Sequence, residues 1–196
     1  MLWPFNYFRR PDLSPAPTIE VIYGMIVTQA REPVFYRDLG VPDTVDGRFD
    51  LLLLHLWMVL RRLRSAESGM EPAQALFDRF CEDMDDNLRE MGVGDLAVPR
   101  RMQAFGEAFY GRSRAYDLAL GQRTDQVTEQ VTEQRIEQVR EALAQVIAKN
   151  ILNGGDQDHA QALAAYTMAT VTCLAACDDA AMLRGAWSFP QMFERR

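Results

Sequence analysis

The sequence predicts an all-α protein, a single domain of about six helices packed as an irregular helical bundle. Three observations carry this. Apolar residues recur at helical spacing in nearly every segment. Alternating strand patterns and hairpin signals are missing from the chain. The 196 residues are 48% hydrophobic and 25% charged, an ordinary globular composition of a size that suits one domain. Residues 1–17 form an aromatic, Pro-rich N-terminal segment, and residues 18–196 form the helical domain.

The first helix is carried by Ile19, Ile22, Tyr23, Ile26, Val27 and Ala30, one apolar stripe, and Pro33 stops it. Phe35 to Thr44 reads as a connector, with Gly40 free to take positive φ and Pro42 biasing Val41 toward extended geometry. Asp43 or Thr44 is a natural N-cap for the second helix, whose core runs from Phe49 to Leu60 and which Arg61, Arg62 and Arg64 close at the negative end of the dipole. That run includes Leu51 to Leu54, His55, and Leu56 to Leu60. As a helix its ten residues cover ~15 Å, about half a hydrocarbon core, so a buried helix is expected and any membrane contact is peripheral.

Gly69 marks a loop, and Pro72 opens a third helix with Leu76, Phe77, Phe80, Met84, Leu88 and Met91 on its apolar face. Its other face is acidic, and Gly92 is expected to cap its C-terminus. Pro99 opens a fourth helix through Met102, Phe105, Phe109, Tyr116 and Leu120, with Gly111 inside it at a cost of ~1 kcal/mol relative to Ala unless something packs closely there. Gln126 to Glu141 reads as four tetrads, QVTE-QVTE-QRIE-QVRE, which drift ~40° per repeat around a helix and leave a thin apolar stripe. This fifth helix is expected to be mostly exposed, and Asn153-Gly154-Gly155 ends it. A sixth runs from about Gln157 to Cys177, and the tail holds Trp187 and Phe189.

Composition excludes several function classes. The formal charge is −7, which argues against nucleic acid, and DNA above all, as the main partner. Three cysteines, Cys81, Cys173 and Cys177, fit a reducing compartment better than a disulfide framework, and Cys173 and Cys177 are expected to be buried free thiols. GxSxG, P-loop, GxGxxG and CxxC motifs are missing, and His55 and His159 are the only histidines. No catalytic residue, metal site or cofactor is therefore expected. His55, deep in the most apolar run, reads first as a core histidine satisfied by hydrogen bonds. The cluster Asp83-Met84-Asp85-Asp86 raises an alternative, an all-α isoprenoid- or diphosphate-handling enzyme. Such an enzyme needs a second acidic motif on a facing helix, which the sequence lacks, so a solvated or partner-docking acidic face is the plainer reading.

Two stretches together resemble a known family. The first runs from Phe35-Tyr36-Arg37-Asp38-Leu39-Gly40-Val41-Pro42-Asp43-Thr44 through Arg48-Phe49-Asp50 to Leu54-His55-Leu56 and Arg61-Arg62-Leu63. The second takes Asp83-Met84-Asp85, then Leu88-Arg89-Glu90-Met91-Gly92-Val93-Gly94-Asp95, Phe109-Tyr110-Gly111-Arg112 and Ala115-Tyr116-Asp117. This ordered series is similar to the ubiquinol–cytochrome c chaperone family, in its bacterial branch, over roughly Ile19 to Leu120. The resemblance implies a non-enzymatic assembly factor of the respiratory-chain cytochrome bc1 complex that binds newly made cytochrome b and works with a small partner protein. It implies action in the cytoplasm or at the cytoplasmic face of the inner membrane. It also picks out Asp43, Thr44, Arg48, Phe49, His55, Asp83, Asp85, Arg89, Glu90, Asp95, Tyr110 and Arg112 as candidate partner-binding residues. The competing reading is that these residues cap helices and pair with one another.

Overall fold

The structure, a computed structural model, describes residues 16–121 and 133–191. The described residues form eight helices: α1 (Ala16–Ala30), α2 (Pro33–Arg37), α3 (Val45–Ser65), α4 (Met70–Glu90), α5 (Val98–Ala119), α6 (Glu133–Asn150), α7 (Gln157–Ala176) and α8 (Asp179–Leu183). The all-α bundle is as the periodicity indicates, but the expected six helices become eight. The six long ones match the six expected. α2 and α8 have five residues each, too few to show a period. Pro33 starts α2 after a break of two residues from α1, so the expected connector is partly helical. Pro72 likewise sits inside α4, which opens at Met70.

The fold is built around α3. Leu51, Leu53, Leu54, Leu56 to Leu60 and Leu63 are all buried, so the helix is apolar nearly all round, the pattern of a central helix. It packs against α1, α4, α5, α7 and α8. Four residues join α3 to α4 and seven join α4 to α5, and such short connections make antiparallel neighbours. The N-terminus of α3, the C-terminus of α4 and the N-terminus of α5 therefore meet at one end of the bundle. Phe49, in the second turn of α3, has its ring 4.6 Å from that of Phe105 in α5.

The helix ends follow local chemistry. Thr44 caps α3, its hydroxyl accepting from Gly47 N at 3.1 Å. Gly92 takes φ +80° after α4, and Gly92 N and Val93 N donate to Arg89 O and Leu88 O, a Schellman closure. Asp156 caps α7 and Asp178 caps α8. Arg61 and Arg62 do more than close α3 at the negative end of its dipole. Arg61 pairs with Asp117 at 2.5 Å. Arg62, 9% exposed, donates to Leu174 O and Cys177 O and pairs with Asp179. Its cation thus serves the carbonyl end of α7, a role that α3's own pattern cannot show.

The tail also returns to the core, where Phe189 is 8% exposed with its ring 5.3 Å from that of His55. The thiols are free, but Cys173 is exposed and Cys177, like Cys81, is half-buried, which corrects the expectation that Cys173 and Cys177 are buried. Cys173 lies in the last turn of α7 beside the buried Leu174, and Cys177 is the C-cap residue. Burial pushes the Cys81 thiol up to about 11. Residues 1–15, the tetrad positions 126–132 and residues 192–196 lie outside the described residues. The tetrad positions 133–138 are exposed.

Candidate partner-binding surface

The bundle end where α3, α4 and α5 meet carries most of the candidate residues. At the start of α3, Asp43 accepts from Arg48 at 2.7 Å, and the Arg48 guanidinium also lies 5.6 Å over the Tyr36 ring. Both charges are more than half exposed, so the pair adds little to stability. Thr44 is used as the α3 cap, and Phe49 is half-buried between Phe105 and Phe80. The tight entry into α3 needs Gly47, since a Cβ there would stand 2.1 Å from Pro42 O. Sequence reasoning missed this requirement, because a glycine three residues into a helix resembles a mere propensity defect.

At the end of α4, Arg89 bridges Asp85 at 2.7 Å and Asp95 in the following loop. Glu90 is exposed beside them. One turn deeper, Asp83 accepts from Tyr23 Oη at 2.8 Å, and Arg79 reaches Glu20 at 2.6 Å. Burial, then the bond to Asp83, drive the Tyr23 phenol far above its usual range. Asp83 and Asp85 are thus engaged by Tyr23 and Arg89. Among the described residues, no group of three or more His, Cys, Asp or Glu side chains is placed to hold a metal ion.

Apolar side chains stand exposed among these charges: Val45 at 71%, Met91 at 60% and Leu96 at 100%. Leu96 was not legible as a site residue, because a single apolar residue in a loop has no period to set it apart. Its signal is complete exposure, which only the fold provides.

The remaining candidates lie elsewhere. Tyr110 of α5, 39% exposed, packs its ring near Phe77 of α4 and Phe109 of α5. Arg112 pairs with Asp50 of α3 at 2.7 Å. Burial outweighs that guanidinium and raises the Asp50 carboxyl to about 6. His55 is a correction to the candidate set. It is 0% exposed, with Nδ1 2.8 Å from Leu51 O and Nε2 2.8 Å from Tyr166 Oη, so it stands inside the core and away from any partner surface.

The sequence pattern of the family described as Ubiquinol-cytochrome C chaperone matches residues 37–189, well over half of the chain. The chain belongs to the ubiquinol–cytochrome c chaperone family. A protein of solved structure, described as the Cbp3 homolog from Brucella abortus, superposes with a TM-score of 0.75 at 32% identity, covering 90% of this chain and 91% of that one. The chain is also 25% identical over 97 residues to the ubiquinol-cytochrome-c reductase complex assembly factor 1 of Xenopus laevis, and 28% identical over 97 residues to that of Homo sapiens. These matches take in 49% of this chain, 48% of the Xenopus protein and 32% of the human one. The chain therefore spans about half the length of the first of these relatives and about a third of the second. Family membership places the α3 entry loop, the α4 end and the α5 segment all inside the matched region. No helix among the described residues is long and apolar enough to cross a membrane.

Proposed function

We propose that this chain is an assembly chaperone of the ubiquinol–cytochrome c reductase complex, and that it holds newly made cytochrome b by binding alone. Family membership and the role named for the assembly-factor relatives support the general reading. The observation that carries the mode of action is the bundle end where exposed Val45, Met91 and Leu96 stand among Arg48, Arg89 and Asp95. Apolar contact supplies affinity there, while the charges orient a bound chain and keep the free protein soluble. Asp43, Thr44, Arg48, Phe49, Asp83, Asp85 and Glu90 would form or brace this surface, Tyr110 and Arg112 would offer a separate contact on α5, and a small partner protein would engage part of the whole. The site of action would be the cytoplasmic face of the inner membrane, where a membrane-bound client is made. Deleting the gene should lower both haem b and the abundance of the bc1 complex in isolated membranes. Unchanged levels would overturn the proposal.

A further inference from the structure

Two ion pairs, Arg61–Asp117 and Arg112–Asp50, tie α5 to α3, but the rest of its docking is looser. Of its 22 residues, Val98, Phe109, Ser113 and Tyr116 are buried. Ser113 Oγ, Tyr116 Oη and Arg112 Nη1 are buried with no hydrogen-bond partner among the described residues. Each such atom gives up its hydration on docking and regains no bond. The Asp50 carboxylate that Arg112 reaches is itself pushed toward its neutral form by burial. On the opposite side, Ala108, Gly111 and Ala115 line an open groove of about 420 Å³ with Val146, Lys149 and Asn150 of α6, so part of this seam is open to solvent. A Cβ on Gly106 or Gly111 would meet nothing within 4 Å, so both glycines weaken the helix and no close approach requires them. Ala97 at the N-cap provides no side-chain bond.

What α5 covers is aromatic. Phe105 lies 4.6 Å from Phe49 of α3, and Phe109 lies 5.2 Å from Phe77 of α4. Phe80 stands 6.5 Å beyond Phe49, and Tyr116 sits 5.0 Å from Trp57. α3 and α4 have 21 residues each. The hairpin they form is therefore about 30 Å long, the length of a membrane-spanning helix. A helix of α5's length carrying two glycines is marginal in water without its packing face, so release of α5 means that it melts.

We infer that α5 opens by local unfolding, and that the trough of Phe49, Phe77 and Phe80 left between α3 and α4 then binds an apolar α-helix of about twenty residues. This rests on the holding role proposed above and extends the client site from the bundle end into the interior, Phe49 belonging to both. Hydrogen–deuterium exchange of the full chain, read by mass spectrometry, measures the opening without any client. Amides of residues 98–119 should exchange about a hundredfold faster than those of α3 and α7. Equal protection overturns the inference. The probe for the trough is a labelled synthetic twenty-residue Leu/Ala helix with Lys flanks, followed by fluorescence anisotropy. Gly106→Ala combined with Gly111→Ala favours the closed state by about fivefold per site. Apparent affinity scales with the open population, so the probe's Kd should rise about twenty-five-fold as α5 exchange slows by the same factor. Gly24→Ala, at an equally open glycine in α1, should change neither. A probe that does not bind, or that binds wild type and the double variant alike, overturns the inference. Normal bc1 levels in the deletion strain would instead remove the chaperone assignment and leave the opening of α5 standing.

Discussion

His55 shows how a polar residue is accommodated in the centre of an apolar helix. The Leu51 carbonyl can only accept, so Nδ1 carries the proton, and Nε2 accepts from the Tyr166 hydroxyl, which in turn accepts from Gln29. Burial lowers the ring to about 4, opposed only by the bond to Leu51. The unfolded chain takes up a proton near pH 6.5 and the folded one does not. The stabilising contribution of a neutral His55 is therefore fully present above about pH 6.5 and is lost as pH falls toward 4, by about 3 kcal/mol in all. Asp50 acts in the opposite sense. Its carboxyl is raised to about 6, so its contribution is present below the unfolded value of 3.8 and is lost as pH rises through 6. The two slopes oppose each other between pH 4 and 6. Denaturant midpoints of the wild type should accordingly change little over that range, whereas His55→Gln should lose stability steadily as pH rises. Parallel profiles would contradict this assignment. The sequence reading of His55 as a satisfied core residue was correct, but its partners, 111 residues away in the case of Tyr166, were not legible.

At the scale of the element, the helices separate what local sequence encodes from what it leaves open. The Thr44 cap and the Gly92 closure were readable, because capping needs only residues within one turn. The meaning of a mid-helix glycine was not. Gly47 and Gly111 look alike in sequence, yet a Cβ on Gly47 would strike the Pro42 carbonyl at 2.1 Å while one on Gly111 would meet open space. Gly47→Ala should therefore destabilise the protein by about 2–3 kcal/mol through forced backbone shifts. Gly111→Ala should stabilise it by about 1 kcal/mol through helix propensity alone. Urea denaturation of the two variants checks both signs, and the same sign for both would refute the distinction. α2 escaped notice for a related reason. Phe35 is fully buried against His55, but one turn of helix has no repeat to display.

At the scale of the whole molecule, the matched charged residues fall into two groups. Asp43, Arg48, Arg89, Glu90 and Asp95 are exposed at one bundle end, whereas Asp50 and Arg112 join α3 to α5 within the fold. A surface role for Arg48 predicts that Arg48→Ala lowers bc1 abundance in membranes while the purified protein keeps its melting temperature. A large fall in melting temperature would place Arg48 among the structural residues instead. The sequence by itself determined the all-α class, the six long helices, the caps that end several of them and the family, since each rests on local periodicity, on local chemistry or on an ordered series of residues. Only the tertiary structure decided which charges meet. Arg62 serves the far end of α7, Arg112 finds Asp50, and the tail carries Phe189 back onto His55. It alone shows that α5 docks with unpaired polar atoms above an aromatic layer. Helical period fixes which face of an element is apolar. The partner of that face depends on the path of the connections and on side chains distant in sequence, and no short window of the chain contains either.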